Sequence, residues 1–363
     1  MVYIQSIAPT NIAVVKYWGK NPKWEKYLIP LKSSVSFTVQ DFYTETDLRV
    51  NKGTGKIIFN LNDRAITPEM KEYEYVSEMF GKTFELFPNT KNYDYEVKSK
   101  NNFPTAAGYA SSASGFAALA RALQGAMKEL EPEFYNRYMA NDKLLSVFAR
   151  LGSGSATRSI PKKGGFVIWK RGISPKKEGP ESFQGDKLND QIFSSYSKTL
   201  VSPDEWPEFR LIYTKIQEKE KKIKSRSGMK TSVQTCPIYN DWVDYEEKVA
   251  VPSVIKAVQD KDFPTFAKLA MQCSDGLHAV MGYTYPRIVY LNEKSQEVID
   301  TVNELNSNEI KAAYTYDAGP NAIVFTLEKY ESQVVEQLSK IMPKESIAVT
   351  RLGKGSRITK VEK

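Results

Sequence analysis

The sequence predicts an α+β fold in two domains, and three observations support this. The chain's 363 residues are long for one hydrophobic core and suit two domains of ordinary size. Stretches rich in β-branched or alternating apolar residues interleave with stretches of helical period along the whole chain. Several strands follow one another closely enough to form hairpins, which excludes a purely parallel sheet. A hydrophobic content of 41% with 12% aromatic residues is enough for packed interiors.

In order, strands are predicted at 3–7, 34–40, 48–50 and 56–61. Residues 65–87 read as a helix with Thr67 and Glu69 near its start. A strand from 93 runs into a serine-rich loop, after which Phe116, Leu119, Leu123 and Met127 recur at helical spacing. A helix pair covers 131–151, and GGFVIW at 164–169 is a buried strand led by two glycines. Residues 171–190, rich in Lys, Gly, Pro and Glu, form an exposed excursion. The two prolines of VSPDEWPE (201–208) mark a boundary between domains at 1–200 and 201–363. Beyond it come a strand at 209–216, a polar, hydroxyl-rich segment at 223–236, and helices at 241–258, 263–280 and 293–306. Residues 312–327 make a strand, a glycine–proline turn and a strand, followed by a short helix at 334–342 and a closing strand at 346–352. The chain has no internal repeat and no low-complexity tract.

No run of about 18 apolar residues is present, so no membrane span is expected. At the N-terminus the basic residues follow the apolar run instead of leading it, unlike a signal peptide. The two cysteines, Cys236 and Cys273, are far apart and point to neither a disulfide framework nor a zinc site. A cytoplasmic protein is expected. The net charge of +8 admits nucleic acid, an anionic surface or a small polyanion as partner. No zinc-finger or RNA-binding signature accompanies the basic residues, and KIQEKEKKIK at 215–224 reads as a solvated, mixed-charge segment.

Candidate chemistry concentrates in five places. Residues 101–127 pass from small residues and hydroxyls into a helix start. They fit a Ser-capped core helix and also an anion site, where free N–H groups and the helix dipole gather phosphate. Lys16 and Lys20 of KYWGK, four apart, share a face on a strand or a helix and present paired positive charge, unless both are ordinary surface lysines. LGSGSATRS supplies Ser153, Ser155 and Arg158, whose fork fits carboxylate or phosphate. SRSGMKTS repeats the theme with Arg226 among hydroxyls. Asp317 in YTYDAGPNA ends a buried strand, where it either caps the turn or works. His278 is the only histidine and has no second metal-ligand residue near it in sequence, so no metal site is assigned.

APTNIAVVKYWGK, NNFPTAAGYASSASGFAALA, LGSGSATRSI, GGFVIW, SRSGMKTSVQT and YTYDAGPNAIVF occur in one order along nearly the whole chain. Together they resemble the mevalonate diphosphate decarboxylases. These are a branch of the superfamily that contains galactokinase, homoserine kinase, mevalonate kinase and phosphomevalonate kinase. The resemblance implies two α+β domains around a cleft, and members that are often homodimers. Gly108, Tyr109, Ser111, Ser112 and Ser114 would belong to the phosphate loop. Asn11, Tyr17, Lys20, Ser153, Ser155, Ser225, Arg226 and Met229 would bind substrate, and Asp317, Lys16 and Arg158 would be catalytic. In ATP-using members the tertiary hydroxyl is phosphorylated, phosphate leaves, and carbon dioxide follows. A fixed carboxylate suits the positive charge that grows on the tertiary carbon.

The chain departs from the family pattern at Tyr109 in GYASSASG, at Asn21–Pro22 after KYWGK, and at GYTYPRI with Tyr283, Tyr285 and Arg287. These departures favour a branch that resembles the family in thermoacidophilic archaea. It decarboxylates mevalonate 3,5-bisphosphate to isopentenyl phosphate without ATP, so no cofactor is expected. The alternative is the ATP- and magnesium-dependent enzyme that makes isopentenyl diphosphate from 5-diphosphomevalonate. A mevalonate 3-kinase and a non-catalytic RNA-binding protein on this fold rank below both.

Overall fold

The computed structural model describes residues 1–103, 111–172, 187–216 and 223–363. Gly108, Tyr109 and most of the 171–190 excursion lie outside the described residues. The fold is α+β, as expected, and is built on two sheets.

The first sheet starts from β1 (Val2–Val15) and β2 (Ser34–Lys52), which pair antiparallel from Val2↔Val50 to Val15↔Val35. Two strands were expected where β2 runs unbroken for 19 residues. Its exposed middle, Gln40 and Asp41, gives way to alternating buried positions at Thr44, Thr46, Leu48 and Val50. Two of these four inward residues are hydroxyls, so the apolar alternation is weak there. They are satisfied by Ser114 at 2.7 Å and Ser99 at 2.8 Å. Strands β3 (Ile57–Leu61), β4 (Arg64–Ile66) and β5 (Tyr93–Asn101) extend one end of the sheet. Helix α1 (Lys71–Leu86) connects β4 to β5.

Helix α2 (Ser111–Leu130) lies across β1 and β2 with an almost wholly buried surface rich in alanine. Helices α3 (Pro132–Tyr138) and α4 (Asp142–Gly152) follow, then a 3-10 turn at Gly154–Ser159 and β6 (Phe166–Trp169), which pairs with the N-terminal half of β2. Helix α5 (Lys187–Ser194) and β7 (Ser197–Val201) were not expected.

The second sheet has the order β11-β8-β10-β9, with β8 (Phe209–Thr214), β9 (Ala312–Tyr316), β10 (Ala322–Leu327) and β11 (Ile347–Arg351). Around it pack α6 (Ser225–Thr235), α7 (Tyr239–Tyr245), a π turn at Glu246–Ala250, α8 (Val251–Gln259), α9 (Phe263–Gly282), α10 (Glu293–Leu305) and α11 (Glu331–Ile341). The polar segment at 223–236 is therefore mostly helix. Its buried face is only Gly228, Met229 and Ser232, too small to register as an apolar stripe.

The last strand, β12 (Arg357–Glu362), crosses back to pair with β1. Strands β1 to β7, the last ending at Val201, and β12 thus make the first sheet, and β8 to β11 make the second. One aromatic core joins the sheets: Phe37 on β2 meets Phe325 on β10 edge to face at 5.2 Å, beside Phe166 and Phe209. Among the described residues no helix is long and apolar enough to cross a membrane.

Candidate active site

The end of β1 delivers the first site residues. Asn11 is buried; its amide donates to the Ser155 carbonyl at 3.0 Å and to Ser159 Oγ at 2.8 Å. Its carbonyl oxygen accepts from Arg158 Nε at 3.1 Å, while Arg158 Nη1 donates to Ser34 Oγ at 2.8 Å. The guanidinium lies 5.8 Å from the Trp169 ring centroid. Burial lowers the Arg158 pKa to about 10, against the pull of Asp317. Arg158 is thus fixed and desolvated, as a carboxylate-holding fork needs to be.

Lys16 follows, 1% exposed, with its ammonium donating to the Ala13 carbonyl at 2.8 Å and to Asp317 Oδ1 at 2.9 Å. Burial pushes its pKa down and the Asp317 carboxylate pushes back. Asp317 comes from the turn after β9, closed by a Gly319 N–H to Asp317 carbonyl bond of 2.8 Å. Its side chain is 46% exposed, so one oxygen is tied to Lys16 while the carboxyl group faces a cavity. The chain then turns sharply at Gly19, where φ is +133° and a Cβ would fall 1.7 Å from Tyr239 Oη. Tyr239 donates to the Trp18 carbonyl at 2.5 Å, and the Trp18 indole donates to Ser232 Oγ at 3.0 Å, which clamps KYWGK onto α7 and α6. Past the turn, Lys20 meets Glu25 at 3.5 Å. The expectation of charge paired on one face is therefore corrected: Lys16 turns inward to Asp317 and Lys20 sits apart with its own partner.

These groups surround a cavity of about 340 Å³. Its walls take in Asn11, Lys16, Tyr17, Lys20, Arg158 and Asp317 from the elements above. The first turn of α2 adds Ser111 and Ser112, the segment after α4 adds Ser153 and Ser155, and α6 adds Ser225, Arg226 and Met229. Gly154 allows the close approach of Tyr17, since a Cβ there would lie 2.8 Å from the ring. A row of hydroxyls links the helix start to this turn: Ser112 to Ser153 at 3.4 Å and Ser153 to Ser155 at 3.2 Å. Ser114 is not in the wall; it is fully buried against Thr44 and belongs to the packing of α2 on β2.

Against the outer side of Ser111 and Ser112 lies a second cavity of about 250 Å³, lined by Phe59, Tyr75, Val76, Phe116 and Leu119. At the Lys20 end, Arg226 donates to the Gly152 carbonyl at 3.0 Å and lies over the Tyr75 ring at 3.9 Å. Sequence reasoning passed over Lys32, Ser34, Trp169, Tyr75, Glu78 and Lys82, all of which hold or flank site residues. Trp169 closes the GGFVIW motif, which reads only as a buried strand; the others belong to no motif, and apart from the Glu78–Lys82 pair their partners are distant in the chain. His278, read as structural, sits on α9 close enough to Lys16 and Asp317 to feel both charges.

Two family models match end to end: the diphosphomevalonate decarboxylase-like N-terminal domain over residues 8–183 and the mevalonate 5-diphosphate decarboxylase C-terminal domain over residues 211–362. A diphosphomevalonate decarboxylase of Candida albicans is 34% identical over 341 residues, covering 92% of this chain and 86% of the relative. The chain belongs to the diphosphomevalonate decarboxylase family. A crystal structure of mevalonate diphosphate decarboxylase from Staphylococcus aureus superposes with a TM-score of 0.84 at 30% identity, over 99% of both chains. A second decarboxylase structure, of MDDEF in complex with MVAPP, AMPPCP and magnesium, gives 0.83 at 31% identity with the same coverage.

Proposed function

We propose that this decarboxylase-family chain uses ATP and magnesium to convert 5-diphosphomevalonate into isopentenyl diphosphate, phosphate and carbon dioxide. Decarboxylation of a phosphorylated mevalonate is the activity of the family to which it belongs. The observation that carries the reading is that Asp317 shares one cavity with two cationic poles, Arg158 close enough to feel its charge and Lys20 beside Arg226. Each pole suits one anionic end of the substrate, the carboxylate and the 5-diphosphate. Arg158 and Lys16 are buried inside the cavity, out of reach of a polynucleotide backbone, so a small molecule fits better than RNA.

The named relatives and the decarboxylase structure holding an ATP analogue favour the alternative over the nucleotide-independent reading. Of the departures that favoured it, Tyr109 lies outside the described residues. Asn21 caps a short 3-10 turn through a bond from the Lys23 N–H at 3.1 Å, and Pro22 opens that turn. Tyr283, Tyr285 and Arg287 are exposed and do not line the cavity. The alternative named at the outset replaces it. The residues present fit a nucleotide: the apolar cavity outside Ser111 and Ser112 has the size and character for a flat base, and the helix start beside it suits phosphates.

When bound, ATP with magnesium supplies the phosphoryl group for the tertiary hydroxyl. The chain's own residues then do three things. Arg158, held by Asn11 and Ser34, keeps the substrate carboxylate aligned with the breaking bond. Asp317, held by Lys16, stabilises the positive charge that grows on the tertiary carbon as phosphate departs. The first turn of α2, with Ser111 and Ser112, stabilises the departing phosphate. Carbon dioxide leaves as its bonding electrons form the new alkene.

The test is product mass after incubation with 5-diphosphomevalonate, with and without ATP and magnesium, and with mevalonate 3,5-bisphosphate alone. The expected result is isopentenyl diphosphate, ADP and carbon dioxide only in the complete mixture. Carbon dioxide from the 3,5-bisphosphate without nucleotide, and none from 5-diphosphomevalonate, overturns the reading.

A further inference from the structure

Two cationic side chains that line the cavity, Lys20 and Arg226, have a third cation, Lys82, standing behind them within reach of their charge, and the three come from three different elements. Lys20 comes from the turn after β1, Arg226 from α6 and Lys82 from α1. Lys82 donates to the Leu151 carbonyl at 3.3 Å, next to the Gly152 carbonyl that Arg226 holds. Both also reach the same carboxylate oxygen, Glu78 Oε2, Lys82 at 3.6 Å and Arg226 at 3.9 Å. The Lys82 side chain is only 14% exposed, whereas Glu78 is 44% exposed. Three cations are thus answered by two carboxylates, Glu25 and Glu78, and every one of those contacts is 3.5 Å or longer. Such loose pairs are weak in a partly hydrated site and easily exchanged for a better anion. Burial lowers the pKa of both lysines, and Arg226 lowers them further. The cluster therefore holds more positive charge than it neutralises.

We propose that Lys82 is a specificity-determining residue. It is the third cation of the 5-phosphoryl subsite, released from Glu78 when a second phosphoryl group arrives, and it makes the site prefer a diphosphate to a monophosphate. The inference rests on the reading that the Lys20 end of the cavity takes the 5-phosphoryl group of the substrate. A monophosphate is served by Lys20 and Arg226, which line the cavity. The extra charge and reach of a diphosphate place its terminal oxygens where Glu78 now sits. Glu78 is then the internal stand-in for that group.

The experiment has two arms. Calorimetry on the protein without substrate compares inorganic pyrophosphate with inorganic phosphate for the unaltered chain, Lys82→Met, Lys82→Arg and Glu78→Gln. Lys82→Met is expected to weaken pyrophosphate about tenfold or more and to leave phosphate unchanged. Lys82→Arg restores most of the loss, and Glu78→Gln tightens pyrophosphate. In the second arm, Lys82→Met raises KM for 5-diphosphomevalonate with kcat preserved. Equal weakening of both anions by Lys82→Met, or no pyrophosphate binding by the unaltered chain, overturns the proposal. Pyrophosphate binding that depends on Lys82, in a chain that does not turn over 5-diphosphomevalonate, leaves the subsite standing and sinks the substrate assignment alone.

Discussion

Two buried lysines stand sixteen residues apart, each paired with a carboxylate from the second half of the chain, and they have opposite surroundings. Lys16 and Lys32 are 1% and 2% exposed. Lys16 meets Asp317, whose side chain is 46% exposed and faces a cavity. Lys32 meets Glu246 at 3.1 Å, and that carboxylate is 2% exposed. Lys32 also donates to the Lys16 carbonyl and lies 4.6 Å from the Trp242 ring centroid, while Glu247 beside it accepts from the Ser33 N–H and hydroxyl. The same pair of residue types is therefore a structural clamp where the anion is sealed, and where the anion is open it is the working group of the proposed mechanism. The clamp holds the backbone from which the working lysine projects.

The comparison is broken most sharply at the sealed pair. Lys32→Met leaves Glu246 buried without a counter-charge and is expected to cost about 3–5 kcal/mol in denaturant unfolding. Lys32→Met combined with Glu246→Leu recovers most of that loss, because an apolar pair of similar volume needs no desolvation. At the open pair the cost moves from stability to rate. Asp317→Asn is expected to lower kcat by about 10²–10³-fold with KM little changed. The stability cost there is expected to be smaller than at the sealed pair, since Asp317 is half solvated and the asparagine side-chain oxygen can still accept from the buried Lys16 ammonium. If Asp317→Asn unfolds the protein while Lys32→Met does not, the two roles are exchanged.

A smaller effect sharpens the comparison from the lysine side. Burial lowers the Lys16 pKa, so its charged form is lost as pH rises, earlier than for an ordinary lysine. The alkaline limb of kcat/KM should therefore fall below the usual lysine range. Lys16→Arg should move that limb upward. A limb that does not respond to Lys16→Arg removes Lys16 from the titrating unit.

How far the sequence reaches follows the same divide. Arg158 sits among small residues and hydroxyls that suit an anion; Lys16 in KYWGK and Asp317 at a strand end stay ambiguous one motif at a time, and only the six motifs together point to a role for them. Lys32 and Glu246 are 214 residues apart and neither has a motif; only folding brings them together. The unbroken course of β2 is hidden because Thr44 and Thr46 face the interior through hydroxyl bonds instead of apolar contact. Strand β12 is hidden because it is an exposed edge, with no buried face to alternate. The direction of Lys20, away from Lys16, depends on the Gly19 turn against Tyr239. Spacing alone could not foresee it.

The smallest effect concerns His278, which stands near the open pair. It is the chain's only histidine, and its Nε2 is buried without a hydrogen-bond partner among the described residues. Burial first and the Lys16 charge second lower its pKa from 6.5 to about 4, against Asp317 and the Tyr316 backbone. The imidazole is therefore neutral throughout the range in which histidine ordinarily titrates. Profiles of kcat and kcat/KM should show no inflection assignable to it between about pH 5 and 8. Stability carries the opposite signature. Between pH 6.5 and about 4 the unfolded chain binds a proton that the folded chain refuses, so stability drops as pH falls through that window. His278→Gln should flatten this slope by up to about 1 kcal/mol per pH unit while leaving the rate profile in place. An inflection near pH 6.5 that His278→Gln abolishes would instead make this histidine part of the open pair's chemistry.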